Sequence, residues 1–290
     1  MVNRILVTGA TGLLGSYLLP HLIKSHDVIA LGRKRLDAVT SVDETDLGTE
    51  WRSTRLPEDV HTVVHLAQSL RYRDFPLGAE DMVMVNAMSA FRLLDYARRV
   101  GARRFILASS GSVYAPSTIP LDEAAPVAPP SDQSFYVATR LAAESFASSF
   151  RQFMDVHIVR IFFMYGPGQR SDAFLPRLVG AVRDGQSVRL SGTDGIRLNP
   201  IHARDAASVL LSLIHSGGPE IVNLAGPDVV TLRQLATRIG GLLGVAPRFE
   251  HTTPGVDCVA DIALLKSEFD APLTPIHRGV AEVVASLTSS

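Results

Sequence analysis

A chain of 290 residues, 46% of them hydrophobic, is long enough to bury a substantial core as one large domain or two smaller ones. Its 28 lysines and arginines against 29 acids leave a formal net charge of -1, which excludes any general attraction to nucleic acid or to an anionic membrane surface. The single cysteine, Cys258, excludes an internal disulfide and a cysteine zinc site; no metal is expected, and a reducing, cytoplasmic setting fits best.

The chain opens on an apolar, β-branched run over 3–8 that breaks at Gly9 and continues Ala10-Thr11-Gly12-Leu13-Leu14-Gly15. This predicts strand, turn and helix. Glycine takes positive φ at no steric cost and lets the backbone approach a ligand. Gly9 and Gly12, with Thr11, Leu13 and Leu14 between and after them, would therefore set bare N–H groups beside a pyrophosphate, where the following helix also points its positive end. The GxxGxxG spacing differs slightly from the common dinucleotide fingerprint, and a tight turn without a ligand would use the same residues. The helix is expected over 12–24, with Pro20 removing one hydrogen bond and bending it. The apolar stretch 13–23 lacks the basic leader of a signal peptide, and no other run is long enough to cross a bilayer.

A second strand follows over 27–31. In a doubly wound sheet its end meets the adenosine ribose, where a carboxylate suits the 2'-hydroxyl and a cation a 2'-phosphate. Gly32, Arg33, Lys34 and Arg35 stand there, so NADP is favoured over NAD, with Arg33 stacking on the adenine of either coenzyme as the alternative. Asp46 and Leu47 are candidate neighbours of the adenine. The strand 62–67 ends in Leu66 and Ala67, and the small Ala67 allows close approach to a cofactor, while His65 reads as a strand histidine. A helix is expected over 79–100, where Asn86 is out of place among good helix formers and is held for a hydrogen bond. The cations Arg98, Arg99, Arg103 and Arg104 near its end read as a solvated surface that complements the helix dipole.

Strand 104–108 runs into Ser109-Ser110-Gly111-Ser112, and the repeated strand–helix alternation argues for a parallel sheet covered on both faces, with ligands gathering at the carboxyl ends of its strands. Prolines 120, 126, 129 and 130 predict a surface loop. The next helix-forming stretch, from 135, places Tyr136 and Arg140 four residues apart on one face. Tyrosine ordinarily ionises near pH ~10, and a fixed neighbouring cation favours the phenolate that acid/base work requires.

Taken in order, TGATGLLG (8–15), VVHLA (63–67), ASSGSVY (108–114), YVATR (136–140), MYGPGQ (164–169), NPIHARDAA (199–207) and VNLAGPDVVTLRQLA (222–236) resemble the motifs of the extended short-chain dehydrogenases/reductases of the NAD-dependent epimerase/dehydratase type, nearly end to end. The resemblance implies a Rossmann-type α/β fold: a dinucleotide-binding domain over 1–165, to which 199–217 returns, and a smaller C-terminal α/β substrate-binding lobe over 166–290. It also implies that Ser110 polarises the substrate oxygen, that Tyr136 exchanges its proton, that Arg140 takes the place of the family lysine, and that Asn86 stands near the cofactor. Hydride would pass between a substrate carbon and the nicotinamide. A small-molecule substrate is implied, and homodimerisation is usual in such proteins.

Three departures sharpen the expectation. YxxxR replaces YxxxK, and the planar guanidinium cannot occupy the point an ammonium fills, so activity is expected to be reduced or retuned. The family's dehydratases carry an Asp-Glu pair where this chain has Gly111 and Ser112, which argues against a 4,6-dehydratase. Phe163 stands where an asparagine helps hold the diphosphate of a nucleotide sugar. Arg170, Arg177 and Arg197, with Ser110, Ser112 and Phe163, are then the candidate substrate contacts, although each arginine reads more readily as a surface residue.

The C-terminal part is expected to carry helices over 174–184 and 231–240 and strands over 188–190 and 247–250, with Asp205 capping a helix or pairing locally. The expected function is an NAD(P)-dependent epimerase or oxidoreductase acting on a sugar nucleotide or a related hydroxy or keto compound. The alternatives are an NADPH-dependent carbonyl reductase of a non-nucleotide substrate and, from another class, a catalytically impaired NAD(P)-binding regulatory protein.

Overall fold

A computed structural model describes residues 2–37, 39–42, 45–51, 56–270 and 272–288. The chain forms two compact units, one of Met1–Val113, Val127–Arg160 and Ala207–Val222 and one of Tyr114–Pro126, Ile161–Ala206 and Asn223–Ser290.

Six strands come first: β1 (Arg4–Thr8), β2 (Asp27–Leu31), β3 (Thr40–Val42), β4 (Thr62–His65), β5 (Arg104–Ser110) and β6 (Asp155–Ile161). Two short strands, β7 (Ser187–Ser191) and β8 (Arg197–Leu198), precede β9 (Ile221–Leu224), and β10 (Val230–Thr231) and β11 (Arg248–Thr252) follow. One seven-stranded sheet has the order β3-β2-β1-β4-β5-β6-β9. Its first six strands reproduce the doubly wound dinucleotide-binding order, in which the direction of winding reverses between β1 and β4. β1 pairs parallel with both of those neighbours, Val7 lying opposite Ala30 on one side and Val64 on the other.

The middles of β1, β2, β4 and β5 are apolar runs because both faces of the sheet are covered, and their polar residues stand at the strand ends. Leu6, Ile29, Leu31, Val63, Phe105 and Leu107 enter one core, and the alternate residues Ile5, Val7, Val28, Ala30, Val64 and Ile106 are buried on the other face. The first core is closed by helices α3 (Ser89–Arg99) and α4 (Phe135–Ser149), whose Ala90, Ala97, Ala143 and Ala147 let the helices lie close to the sheet. Between β1 and β2 runs α1 (Leu13–Leu22), which keeps Pro20 inside it and buries Leu14, Leu18 and Leu22. The short α2 (Ala79–Met82) passes into α3 through a π-helical stretch, Val83–Met88, so the single helix expected over 79–100 is instead wound wide in its middle, at Asn86. The strand β3 was not expected, and β5 continues two residues further, through Ser109 and Ser110.

The second unit packs α5 (Phe174–Arg183), α7 (Leu232–Leu243) and α9 (Ile276–Thr288) around Leu178, Val182, Leu190, Leu235, Ile239 and Val283. α6 (Ala203–Ser216) links it to the first unit in sequence, and α8 (Ala263–Glu268) lies between α7 and α9. α7 begins with a reciprocal cap between Thr231 and Gln234 and stops at Gly244, φ 69°. β11 pairs parallel with β7.

Two expectations need correction. Arg104 is buried, not a solvated cation: its Nη1 donates to the Ile214 carbonyl at 2.6 Å and its Nη2 to Asp155 at 3.3 Å. A guanidinium taken out of water needs such acceptors, and β5 carries this one inward. Asp205 lies inside α6 and neither caps it nor pairs locally. Its carboxylate accepts from the Thr274 amide at 2.6 Å and the Thr274 hydroxyl at 2.8 Å. Among the described residues no helix is long and apolar enough to cross a membrane, and no group of three or more His, Cys, Asp or Glu side chains is arranged to hold a metal ion.

Candidate active site

The carboxyl ends of β1, β4 and β5 share one edge of the sheet because these strands are parallel. At the end of β1, Gly9 takes φ 69°, and a Cβ there would stand 2.8 Å from the Leu66 carbonyl carbon and the Ala67 nitrogen. The turn therefore lies against the chain leaving β4, an approach that only glycine permits. Gly15 is tighter still, since a Cβ would meet the carbonyl oxygens of Gly9 and Ala10 at 2.5 Å. Gly12 is the N-cap of α1, its amide donating to the Gly9 carbonyl at 2.9 Å, and no side chain caps the helix. The first amides of α1, at Leu13 and Leu14, belong to the group that an α-helix leaves without intrahelical partners, and Thr11 is exposed just before them.

Behind this turn, His65 is fully buried. Its Nδ1 lies 2.6 Å from Thr8 Oγ1 and its Nε2 3.1 Å from Ser89 Oγ. Ser89 spends its proton on the Val85 carbonyl, so Nε2–H donates to Ser89, and Thr8 donates to Nδ1 while accepting from the Ala67 amide at 3.2 Å. A neutral ring satisfies all four groups. Burial, and secondarily the Arg140 cation, push His65 down to about 3, which fits a brace and not a proton carrier.

Asn86 is also fully buried, within the π-helical stretch. Its Oδ1 accepts from the Ser69 amide at 2.9 Å and its Nδ2 donates to Thr139 Oγ1 at 3.0 Å, tying the segment after β4 to α4. π-helical turns of this kind recur at functional sites.

α4 starts at the N-cap Ser134, whose hydroxyl accepts from the Val137 amide at 3.3 Å. One turn in, the Arg140 Nε donates to the Tyr136 Oη at 3.3 Å. Arg140 is only 2% exposed; its Nη1 donates to the Ala108 carbonyl on β5 at 3.3 Å and its Nη2 to Gln68 Oε1 at 2.7 Å. The phenol itself donates to the same Gln68 oxygen at 3.2 Å. Tyr72 lies beside the Tyr136 ring, centroids 5.7 Å apart. At the end of β5, Ser110 Oγ sits 2.8 Å from Ser112 Oγ and accepts from the Ser112 amide at 3.2 Å.

Tyr136 and Arg140 are thus brought together as the helical spacing predicts. Gln68 was missed: it follows the VVHLA run by one residue, and no pattern in the sequence ties it to residues 68 and 72 positions away. A second buried group was missed as well. Glu144, one turn beyond Arg140, accepts from Arg160 at 2.7 Å and from Ser109 at 2.5 Å, fixing α4 to β5 and β6.

Other candidates stand as follows. Arg33 is exposed after β2. Asp46 Oδ1 accepts from the Gly48 amide at 2.9 Å, and Leu47 is a core residue packed with Trp51 and Val85. In the second unit, Arg170 pairs with Asp172 and Arg197 with Asp257, both at the surface, and Arg177 is exposed on α5. Phe163 has φ 43°, the only non-glycine residue with positive φ among those described, and its ring packs 5.5 Å from that of Phe174.

The model of the NAD dependent epimerase/dehydratase family matches residues 5–225. The chain is 24% identical to the dTDP-D-glucose 4,6-dehydratase of Mus musculus, over 89% of this chain and 78% of that one. It is 25% identical to the dTDP-4-dehydro-6-deoxy-D-allose reductase of Streptomyces bikiniensis, over 97% and 94%. Its fold is similar to that of MoeE5 in complex with UDP-glucuronic acid and NAD, with a TM-score of 0.84, 27% identity and 99% of each chain covered. With the doubly wound strand order, the glycine turn and this match over most of its length, the chain belongs to the NAD dependent epimerase/dehydratase family.

Proposed function

We propose that the protein is an NAD(P)-dependent epimerase or reductase that moves hydride at one carbon of a sugar nucleotide or a related hydroxy or keto compound, with Tyr136 as the acid/base. The observation that carries this reading is the phenol held between the Arg140 guanidinium and the Gln68 amide, at the same sheet edge as the glycine turn.

The turn fits a dinucleotide. Gly9 presses against the Leu66–Ala67 backbone, and α1 presents its first amides without a side-chain cap, which is the donor set a pyrophosphate takes. Gly9, Thr11, Gly12, Leu13 and Leu14 would hold the phosphates, and Leu66, Ala67 and Asn86 would line the approach. Arg33 would meet the adenosine end, with Asp46 and Leu47 near the adenine, and the cations after β2 favour NADP. When bound, the coenzyme supplies the hydride donor or acceptor. Ser110 hydrogen-bonds the substrate oxygen, and Tyr136 gives it a proton or takes one away. Arg140 holds positive charge against the phenol through both steps. Gly111 and Ser112 provide no acid–base pair for water elimination, so re-reduction or a single reduction is the favoured chemistry. The second unit is the substrate lobe, with Phe163, Arg170, Arg177 and Arg197 as its candidate contacts, and Ser112 is a candidate contact of the first unit.

Two observations favour narrower readings. Phe163 offers no hydrogen bond to a diphosphate, which favours a carbonyl reductase of a non-nucleotide substrate. Arg140 in the lysine place favours a coenzyme-binding protein with impaired turnover. Fluorescence titration with NADPH and NADH, followed by a hydride-exchange screen of UDP- and dTDP-sugars and small ketones, separates the three. Exchange with a sugar nucleotide supports the main reading, exchange with ketones alone the first alternative, and binding without exchange the second.

A further inference from the structure

We propose that Gln68 is a positioning residue that keeps the proton on Tyr136, so that the site is set to protonate a carbonyl more readily than to deprotonate a hydroxyl. The proposal rests on the reading of Tyr136 as the acid/base and adds a residue to it.

The argument is one of hydrogen-bond inventory. Gln68 Oε1 accepts from Arg140 Nη2 at 2.7 Å, a charge-assisted bond to a guanidinium that is 2% exposed. That bond fixes the amide: to turn its NH2 group toward the phenol, Gln68 would have to face a cation with a donor. The oxygen 3.2 Å from Tyr136 Oη is therefore always an acceptor. It serves a phenol, which donates to it, and opposes a phenolate, which cannot. Gln68 also engages part of the Arg140 cation that would otherwise turn wholly to the phenolate, leaving Nε at 3.3 Å as the one donor directed there.

The other charged and titratable groups around Tyr136 do not reverse this balance. Tyr72 lies beside its ring, and the Arg73 guanidinium is 5.1 Å from the Tyr72 ring. His65 on β4 faces Arg140 and is neutral. A lysine in the place of Arg140 would present three rotatable donors on one nitrogen, not the planar fork that sets separate, fixed N–H groups on the Gln68 oxygen and the phenol. Gln68 and Arg140 thus act as a pair.

The test is an ultraviolet titration of phenolate formation on the folded chain without coenzyme, with the Tyr136→Phe protein subtracted to isolate one tyrosine of six. Gln68→Leu removes the acceptor, and the buried Arg140, short of one partner, leans on the phenolate; the Tyr136 transition is expected to move to lower pH by about one unit, about tenfold more phenolate at a given pH. Gln68→Glu keeps an anchor for Arg140 but adds negative charge, and is expected to move the transition upward. Opposite shifts from two substitutions at one position are not what a purely structural role produces. Shifts in the same direction, or no shift with either variant, overturn the proposal. Because no coenzyme is present, this outcome is independent of whether the chain binds NAD(P), which a separate NADPH titration of the same variants reports.

Discussion

The Nε of Arg140 and the phenol oxygen of Tyr136 lie 3.3 Å apart, one helical turn from each other, with the guanidinium carbon 5.5 Å from the centre of the tyrosine ring. The cation is held from three sides, by Tyr136, Gln68 and the Ala108 carbonyl. Arg140→Ala would leave the Gln68 and Ala108 oxygens without this donor and the phenol without its cation, and turnover should fall by about two orders of magnitude or more. Arg140→Lys keeps the charge but not the fork, and should retain measurable turnover with an altered pH profile. Steady-state kinetics on whichever compound the hydride-exchange screen identifies checks both.

Gly9 admits no side chain. Gly9→Ala would force a Cβ to 2.8 Å from backbone at Leu66 and Ala67 in a φ of 69°, so the turn must shift. A loss of about 1–3 kcal/mol in stability is expected, together with a loss of coenzyme affinity larger than the drop in folded fraction explains. Urea denaturation and coenzyme titration on the same sample separate the two.

In the second unit, Gly279 and Tyr165 are packed without slack: a Cβ at 279 would lie 2.2 Å from Tyr165 Oη and 2.7 Å from a ring carbon. The hydroxyl is buried with no hydrogen-bond partner among the described residues, and burial followed by the Asp205 charge raises its ionisation pH. Gly279→Ala should cost about 1–3 kcal/mol. Tyr165→Phe should be neutral or stabilising by up to about 1 kcal/mol, since it deletes an unsatisfied group. The double variant should recover only part of the loss, because the ring carbon remains. Thermal melts of the three proteins decide.

Stability should fall on acidification. His65 titrates at about 3 when folded against 6.5 for a free ring, so between those values the unfolded chain binds the extra proton and folding loses ground as pH drops. By pH 5 the loss from this residue alone is about 2 kcal/mol. His157 and His202, both held below the usual histidine range first by burial, add to it in the same direction. Urea midpoints at pH 7 and pH 5 measure the fall, and His65→Gln should flatten it.

Much of this architecture was legible because its signals are local. The alternation of apolar runs with glycine or polar breaks marks β1, β2, β4 and β5 and the helices between them, and the i, i+4 spacing alone puts Tyr136 beside Arg140. What escaped depends on partners distant in the chain. β3 has three residues, too few for a period, and is a strand because β2 offers its edge. Arg104 looks like a surface cation until the Ile214 carbonyl, 110 residues later, is brought to it. Asn86 finds its partners only when Ser69 and Thr139 are brought to it, and Gln68 gains its place only when Tyr136 and Arg140 of α4 reach it.

Calorimetric titration of the intact, folded chain with NADPH and with NADH tests the central claim most directly. Saturable binding of one coenzyme per chain, tighter for NADPH and lost in Gly9→Ala, is the predicted result. If neither coenzyme binds, the account of the site is contradicted; if NADH binds more tightly, the coenzyme preference alone is reversed.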